Sequence, residues 1–573
     1  MRAVNDVNPQ PTRQSTVIAL LALLSLYLIA YLLPLGGRDL FVPDETRYAV
    51  IPHEMIDGGD WIVPHLNGLR YFEKPPLGYW LYAGALLLFG ENNFAVRLPS
   101  ALAVGLSALL IFFMVKKARL GQSEAHSHSA PITASLVFLS CLAVFGTGTI
   151  ALLDSLFSFF LTACIAAFYA ATEARPGSAK EKGWLLMAGM FCGLAFLTKG
   201  FLAFAVPILA LVPYLLWQRR YADILRMSWL PIAIAVLVIL PWALCVHLRE
   251  PDFWNFFFWH EHIRRFAASD AQHKQSFWFF LLAIPGMVFP WTCMTPAAAL
   301  GIKKLWREQP EWSGLLKLCL CWMIVPLLFF SASSGKLLTY ILPCFPPFAI
   351  LTGLGLLHAF KHKGKSKLFQ GGVMVNGLLF AMILVAFMAL QLFDFRGFRP
   401  YSHPWQVIMI IGGLLFCIAL HIWSYRSTVA RTKIILSGMA LIFIYFIAPY
   451  SLPDDTREAK CPGEFLRRNS ATIDKNDIIL ADEESITAVC WHLQRRNIYV
   501  LGPPGELAYG FGHPDAHMRL LDLQSAAERI RQHRGETVLI ARARNYNQWQ
   551  DKLPPASVQD QNGDKGYVVV RFL

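Results

Sequence analysis

An apolar run, TVIALLALLSLYLIAYLLP, occupies residues 16–34, and the polar stretch PDETRY follows it at residues 43–48. A helix needs about 20 predominantly apolar residues to cross a bilayer, and the first run has that length. Runs of the same kind recur as far as residue 450. The chain is therefore predicted to be a helical membrane protein whose first loop, between two spans, carries acids and a base.

The composition supports a membrane protein. Of 573 residues, 55% are hydrophobic and 16% are charged, whereas soluble chains carry about 25% charged residues. The shorter segment Leu77–Phe89 is predicted to lie in the membrane interface instead of crossing. We predict about thirteen transmembrane helices, near residues 16–34, 97–115, 130–147, 150–172, 184–198, 200–217, 229–247, 277–298, 315–332, 337–358, 371–391, 405–423 and 434–450.

The orientation follows from the basic residues, because short cytoplasmic loops are enriched in Lys and Arg. Six alternate loops hold these residues, which assigns them and the N-terminus to the cytoplasm. The first loop, residues 35–96, and everything after residue 450 then lie outside. The net charge of +13 fits this topology and anionic membrane lipids as partners, and no pattern indicates nucleic acid. The basic residues are Lys116, Lys117, Arg119, Arg175, Lys180, Lys182, Arg219, Arg220, Arg226, Lys303, Lys304, Arg307, Lys361, Lys363, Lys365, Lys367, Arg426, Arg431 and Lys433.

Residues 451–573 differ from the rest, so we predict two domains, 1–450 and 451–573. Short apolar strands near 477–481, 498–501, 537–541 and 567–572 alternate with helical stretches near 484–494 and 526–532, which predicts a small α/β domain. This domain either caps the membrane part or helps to bind a substrate head group. Its two cysteines, Cys461 and Cys490, are able to pair in an oxidising compartment.

Candidate functional residues begin in the first loop. Asp44 and Glu45 follow a proline that restricts the backbone, and Arg47 is placed to pair with them if this turn is helical. Adjacent acids on a loop are often only solvated surface. Here amphipathic segments hold the loop against the bilayer, where a carboxylate needs a partner or a purpose, and this favours a functional role.

The same loop continues with YFEKPPLGYW at residues 71–80. Two prolines stiffen the backbone after Lys74, so its ammonium is held in place as a point charge for a phosphate. The alternative is an interfacial anchor. Tyr71 and Glu73 flank this position.

A later outer loop carries WHEHIRRF at residues 259–266. Arg264 and Arg265 are candidates to clamp a phosphate. Imidazole and carboxylate ligands suit zinc or magnesium. Alternatively, the segment is a polar helical face beneath aromatic residues. The candidate metal ligands are Glu73, His260 and His262.

Three more candidates lie close to helix ends. Lys336 and Tyr340 belong to SSGKLLTYILP at residues 333–343, which lacks the first glycine and the strand of a nucleotide-binding loop but is able to reach a lipid phosphate. Asp154 either complements a helix dipole or recognises substrate. Lys199 is either an anchor or a site residue.

Taken together, PDETRYA, GDWIVPHLNGLRYFEKPPLGYW, EHIRRFA with DAQHKQSFW, and SSGKLLTYILPC resemble the aminoarabinose lipid A transferases, which are GT-C membrane glycosyltransferases. The resemblance covers most of the membrane region, with the motifs in order. It implies a GT-C fold in the bacterial inner membrane, with the active site and the C-terminal domain in the periplasm. It also implies that Asp44 is the leading acid and Asp154 the second, with carrier phosphate contacts from Lys74, Arg264, Arg265, Lys336 and Tyr340.

The implied reaction moves 4-amino-4-deoxy-L-arabinose from undecaprenyl phosphate to a lipid A phosphate, which changes outer-membrane charge and implies polymyxin resistance. No cofactor is required, and a zinc or magnesium ion is optional. Two alternatives stay open: a related GT-C enzyme that moves mannose or another sugar from a polyprenyl phosphate to protein, and a lipid-phosphate flippase. Charged candidates that gather at one face favour an enzyme, because a transporter would distribute them along a pathway.

Overall fold

The computed structural model of the protein describes residues 13–118, 129–264, 274–360, 367–393 and 400–572, without the side chains of residues 13–15 and 260–264. Helices make up most of this part of the chain. The α-helices are α1 (Arg13–Tyr27), α2 (Asp44–Gly58), α3 (Leu77–Phe89), α4 (Asn93–Lys117), α5 (Ser129–Ser140), α6 (Leu142–Gly148), α7 (Leu153–Thr172), α8 (Ala179–Lys199), α9 (Leu202–Trp217), α10 (Tyr221–Arg249), α11 (Phe279–Met287), α12 (Thr295–Glu308), α13 (Ser313–Ala332), α14 (Phe345–Ala359), α15 (Lys367–Leu392), α16 (Pro404–Arg426), α17 (Ala430–Met439), α18 (Ile442–Ile447), α19 (Asp454–Lys460), α20 (Gly463–Ser470), α21 (Ile486–Leu493), α22 (Ala508–Phe511), α23 (Leu523–Gln532) and α24 (Ala543–Trp549).

Helices of other types extend or connect these elements. Leu28–Leu32 and Asn255–Arg264 are π-helical. The 3₁₀ segments are Thr292–Met294, Pro310–Trp312, Leu338–Cys344, Gly505–Leu507, His517–Arg519 and Gln550–Lys552.

The prediction of a multi-span helical membrane protein is confirmed, and each of the thirteen predicted segments overlaps a helix. The number thirteen is not confirmed. Within the described ranges, eight helices are long and apolar enough to cross a membrane, or up to ten if two bent pairs each count as one span. The pair Ser129–Ser140 with Leu142–Gly148 bends by 69°, and the pair Phe279–Met287 with Thr292–Glu308 by 96°. Predicted spans 130–147 and 277–298 are therefore not single straight helices.

Helices α12 and α14 approach each other very closely. A Cβ at Gly301 would lie 1.8 Å from the carbonyl oxygen of Gly355, and a Cβ at Gly355 would lie 2.2 Å from that of Ala298. Only small residues allow backbones to meet at this distance, which is how helices commonly associate inside a membrane.

The C-terminal region contains the predicted α/β domain. Its strands are β3 (Ile478–Ala481), β4 (Tyr499–Leu501), β5 (Leu520–Leu521), β6 (Thr537–Arg542), β7 (Val558–Gln561) and β8 (Tyr567–Phe572), after a two-stranded hairpin, β1 (His65–Leu66) and β2 (Leu69–Arg70), in the first loop. The order in the large sheet is β5-β4-β3-β6-β8-β7. The first four are parallel neighbours, and β8 is antiparallel to both β6 and β7.

The α/β domain packs directly on the first loop. At the tip of hairpin β1–β2, Asn67 uses its amide like a peptide group: Nδ2 donates to the carbonyl of Ile498 at 2.9 Å, and the amide N–H of Ile498 donates back to Oδ1 at 3.0 Å. The hydroxyls of Thr46 in α2 and Thr487 in α21 lie 2.7 Å apart. Buried polar groups are costly unless paired, so these pairs hold the domain in one position on the loop.

The suggested pairing of Cys461 with Cys490 is wrong, because both thiols are free and buried. Each contacts a different part of the first loop. Sγ of Cys461 donates to the carbonyl of Asp39 at 3.7 Å, and Sγ of Cys490 donates to Oδ1 of Asn67 at 3.7 Å. Both cysteines therefore belong to the interface between loop and domain.

Candidate functional site

Four side chains meet where α2 begins, and we call them the Arg47 cluster: Asp44, Arg47, Tyr71 and Glu506. The guanidinium of Arg47 donates to Oδ1 of Asp44 at 3.0 Å, to the Tyr71 hydroxyl at 3.2 Å and to Glu506. The Tyr71 hydroxyl lies 3.2 Å from Oε2 of Glu506. The predicted pairing of Arg47 with Asp44 is confirmed, because α2 begins at Asp44 and puts the two residues three positions apart on one helical turn.

The Arg47 cluster is buried on one side and open on the other. Arg47 and Tyr71 are buried, whereas the side chain of Asp44 is 56% exposed and that of Glu506 is 33% exposed. Burial alone would raise the pKa of Glu506, but Arg47 outweighs it and holds this pKa below its usual value. The cluster therefore presents two carboxylates toward solvent, both paired with the buried guanidinium of Arg47.

Glu45, the predicted partner of Asp44 in catalysis, points the other way. It is completely buried and accepts hydrogen bonds from Arg97 at 2.7 and 3.0 Å and from Arg38. The backbone amides of Phe41 and Ala151 donate to it at 2.8 and 3.0 Å. Burial would raise the pKa of Glu45, but Arg97 and Arg38 lower it to about 2.

This geometry favours a positioning role for Glu45 over contact with substrate. Its bond to the Ala151 amide fixes the segment just before α7, and Arg97 fixes the start of α4. Glu45 thus sets the distance between the first loop and the helix that carries Asp154.

Asp154 and Lys199 form a second charged group. Nζ of Lys199 donates to Oδ1 of Asp154 at 2.6 Å, and both side chains are largely buried. The ammonium also lies 5.2 Å from the ring centroid of Tyr340 and 5.9 Å from that of Phe157, within cation–π range. The fold thus brings together three predicted residues that are distant in sequence: Asp154, Lys199 and Tyr340. We call Asp154 and Lys199 the Asp154 pair.

Charges from both groups reach Tyr48. It is buried one residue after Arg47, and its ring is 5.9 Å from that of Tyr82 and 6.1 Å from that of Tyr79. Burial raises the pKa of its hydroxyl, Arg47 opposes the shift, and the charges of Asp154, Asp44 and Glu73 add to it.

Lys74 adjoins the Arg47 cluster. Its ammonium donates to the carbonyl of Glu73 at 2.8 Å and lies 3.9 Å from the Glu73 carboxylate. Its charge helps to lower the pKa of Glu506. The prolines that follow end the loop and start α3 immediately afterwards, so Lys74 is held at the base of that helix as predicted.

Lys336 lies in a buried turn, and its contact with a lipid phosphate stays a prediction. It is buried, and its ammonium donates to the carbonyl of Gln275 at 2.9 Å and to that of Ser333. Burial lowers its pKa. Among the described contacts, none joins Lys336 to the Arg47 cluster; it braces the turn that leads into the 3₁₀ segment carrying Tyr340.

The remaining predicted residues lie outside what the structure describes. Arg265 is not among the described residues, and neither are the side chains of His260, His262 and Arg264. Within the described ranges, no three His, Cys, Asp or Glu side chains are grouped to hold a metal ion. The suggested ligand set Glu73, His260 and His262 stays a prediction.

Comparison with known proteins supplies the family. Residues 16–257 match the dolichyl-phosphate-mannose-protein mannosyltransferase family, and residues 457–570 match the C-terminal domain of the arabinosyl transferase ArnT. Proteins named undecaprenyl phosphate-alpha-4-amino-4-deoxy-L-arabinose arabinosyl transferase are similar over nearly the whole length. The one from Shewanella sediminis is 38% identical, with 90% of this chain and 92% of the relative covered. For Aeromonas hydrophila the values are 39%, 91% and 93%.

The chain belongs to this arabinosyl transferase family. The fold agrees: the crystal structure of ArnT from Cupriavidus metallidurans bound to undecaprenyl phosphate has a TM-score of 0.78 at 21% identity, over 96% of this chain and 97% of that one. Its apo structure gives a TM-score of 0.76 at 21% identity, over 97% and 98%. The predicted GT-C architecture with a C-terminal α/β domain is thereby confirmed.

Two groups of residues in this arabinosyl transferase escaped sequence reasoning. Glu506 belongs to the α/β domain, 459 positions from Arg47, and no local pattern connects them. Arg97 and Arg38, the partners of Glu45, could have been found from the sequence. An arginine at the start of an apolar span is costly unless it is paired, and Glu45 is an acid that needs a buried partner.

Proposed function

We propose that this protein transfers 4-amino-4-deoxy-L-arabinose from an undecaprenyl phosphate carrier to a phosphate group of lipid A. The observation that carries this proposal is the Arg47 cluster, with the Asp154 pair as a second charged group. The cluster joins the acids Asp44 and Glu506 to a buried cation in a chain whose relatives are named for this sugar and carrier. The product modifies outer-membrane charge and implies resistance to cationic peptides.

The orientation is part of the proposal. Lys and Arg collect in alternate loops, and such loops face the cytoplasm. The first loop and the α/β domain then face the periplasm of the inner membrane. The reaction takes place at that membrane surface, where both lipid substrates present their phosphates.

Acceptor activation needs no strong base. A phosphate monoester has its second pKa near 6, so at neutral pH it is mainly a dianion and already nucleophilic. Its oxygen attacks the anomeric carbon of the sugar. The bond from that carbon to the carrier phosphate breaks, and the electron pair leaves with undecaprenyl phosphate, so no water or redox partner is consumed.

Acids and cations then have separate tasks. Asp44 and Asp154, with Glu506, hold the sugar's ammonium or stabilise positive charge that develops at the anomeric carbon. Lys74 offsets negative charge on the leaving phosphate, and Arg264 and Arg265 are proposed to share this task. Preorganised cations are most effective where water is excluded, which suits a site at the mouth of a membrane domain.

A transfer assay tests the proposal. Purified protein is incubated with lipid A and carrier bearing a labelled sugar. Covalent label on lipid A supports transfer, label on protein supports a mannosyltransferase-like reaction, and relocated intact carrier supports a flippase.

Lys74→Ala should reduce transfer at least about 100-fold, as removal of an electrostatic catalytic group commonly does. Lys475→Ala, an exposed lysine of the α/β domain, is the matched control and should keep full turnover. Size-exclusion profiles in detergent establish that both variants fold. Unchanged turnover of Lys74→Ala would remove this residue from the site.

A further inference from the structure

A cavity of about 310 Å³ lies between the membrane domain and the α/β domain. It shares none of its lining residues with the Arg47 cluster or the Asp154 pair. The turn from α3 to α4 supplies one wall, and α20 with the end of α21 supplies the other. The lining residues are Glu91, Asn92, Asn93, Arg467, Trp491, His492 and Gln494.

The position of this cavity along the membrane normal follows from its neighbours. Helix α4 is long and apolar enough to cross the membrane, and it begins at Asn93 in the cavity wall. Immediately before the wall, α3 ends in Leu87, Leu88 and Phe89, which are 61%, 79% and 52% exposed. Three exposed apolar side chains beside the start of a membrane span are expected to contact lipid acyl chains. The cavity therefore lies at the level of lipid headgroups.

The charges of the lining balance. Glu91 accepts a hydrogen bond from His53 through one oxygen, at 2.6 Å, and its side chain is 39% exposed. Arg467 pairs with Asp39 at 2.9 Å, and its side chain is 54% exposed. Burial lowers the pKa of His492 to about 4, so this imidazole is neutral at physiological pH. The accessible walls thus offer one acid and one base, with carboxamides between them.

We propose that this cavity binds the zwitterionic headgroup of a membrane phospholipid, with its phosphate at Arg467 and its ammonium at Glu91. Asn93 and Gln494 provide further hydrogen-bonding groups for the phosphate and ester oxygens. The acyl chains lie along Leu88 and its neighbours. Since one wall belongs to each domain, the bound lipid joins the α/β domain to the membrane.

A purely anionic headgroup fits less well. It would satisfy Arg467 but place no cation beside Glu91. Like charges in one small site are unfavourable. Charge complementarity therefore selects a headgroup that carries both signs.

Native mass spectrometry of the full chain tests this proposal. Protein released from mixed micelles with equal amounts of phosphatidylethanolamine and phosphatidylglycerol of identical acyl chains should retain the former in about two- to fivefold excess, as one partly exposed charge pair predicts. Glu91→Gln should abolish that excess, and Arg467→Gln should reduce retention of both lipids. Equal retention of the two lipids by the wild type overturns the proposal.

Arg468→Gln is the matched control. Arg468 is the next residue, is 68% exposed and pairs with Asp560 at 2.7 Å instead of lining the cavity. It should leave the lipid ratio unchanged; a loss equal to that of Arg467→Gln would mean a general surface effect and would overturn the assignment.

A soluble competitor separates a lipid from a free headgroup. Glycerophosphoethanolamine at the same concentration should displace little bound lipid, because it lacks the chains that cover Leu87, Leu88 and Phe89. Complete displacement would assign the cavity to a water-soluble ligand and overturn the lipid proposal. Melting temperatures recorded for each variant establish that it is folded, and the wild-type lipid ratio decides the question even if one variant is not.

Discussion

Helix α2 buries two glutamates near its opposite ends, and their surroundings differ in every respect. Glu45, next to the Arg47 cluster, faces two arginines and two backbone amides, which lower its pKa to about 2. Glu54, beneath the α/β domain, accepts a hydrogen bond from the amide of Gly68, and among the residues that the structure describes none donates to its Oε1. Burial raises the pKa of Glu54 to about 7.

Helix α2 therefore has a rigid end, around Glu45, and an adaptable end, around Glu54, where the charge changes with pH. At the site, fixed charges hold the backbone that presents Asp44 and Arg47. At the domain junction, the charge of Glu54 depends on pH, and the charges of Arg496 and Arg519 oppose the rise of its pKa. The same residue type thus stabilises one contact and leaves the other sensitive to conditions.

The largest expected effect is a loss of stability when Glu45, at the rigid end of α2, is replaced. Glu45→Ala leaves Arg97 and Arg38 buried without their carboxylate, which typically costs about 3–5 kcal/mol. We expect poor expression or a melting temperature in detergent lowered by at least several degrees, with activity lost as a consequence. Thermal unfolding followed by fluorescence measures this.

Asp44→Asn is the comparison variant, one residue away. Its side chain is mostly exposed, so melting should change little while transfer falls about 100-fold. If Glu45→Ala melted like the wild type yet lost activity, Glu45 would instead be a residue that contacts substrate.

The next prediction concerns the adaptable end of α2 and tests whether Glu54 makes stability depend on pH. The pKa of Glu54 is raised on folding from its ordinary value near 4.5 to about 7, so the folded state binds the extra proton between these values. Stability should therefore fall as pH rises from about 4.5 to about 7 and stay level above that, by up to about 3 kcal/mol in total. Glu54→Gln, which cannot ionise, should flatten this pH profile and melt higher than the wild type at pH 8.

Asp57→Asn provides the control for Glu54. Asp57 lies on the same helix, with a 58% exposed side chain, and pairs with exposed Arg496 at 3.1 Å. Exposed pairs contribute at most about 1 kcal/mol, so its pH profile should match the wild type. Identical profiles for Glu54→Gln and the wild type would show that Glu54 does not carry the pH dependence.

A smaller effect, on kcat/KM, is expected at Glu506, where the α/β domain contacts the rigid end of α2. Glu506→Gln keeps the hydrogen bond from Tyr71 but weakens the pair with Arg47, and we expect kcat/KM for the amino-sugar donor to fall about tenfold, near 1.4 kcal/mol. Steady-state kinetics measures it. Glu536→Gln, an exposed acid of the same domain, should have no effect; equal loss in both would exclude a site role for Glu506.

Much of the fold could be predicted from sequence because hydropathy reports burial in lipid directly. Every predicted span overlaps a helix, and strands β3, β4, β6 and β8 lie where short apolar runs predicted them. Bends were not predictable, because the breaks near Cys141 and Pro290 depend on packing between helices and leave the hydropathy of each run intact.

The candidate site was predictable only in part. Local patterns singled out Asp44, Arg47 and Lys74, which all lie in the first loop. Sequence could not distinguish Asp44 from Glu45, since which acid faces solvent depends on the tertiary position of Arg97. It could not find Glu506 either, because that contact requires the whole chain to fold.

The contribution of Glu506 has a consequence for biogenesis. The first loop is synthesised early, but its partner in the α/β domain emerges from the ribosome only after every span has been made. An unfinished chain, or one clipped before residue 506, therefore lacks the carboxylate that pairs with Arg47. The Arg47 cluster is completed only when the last domain has been synthesised and has packed on the first loop.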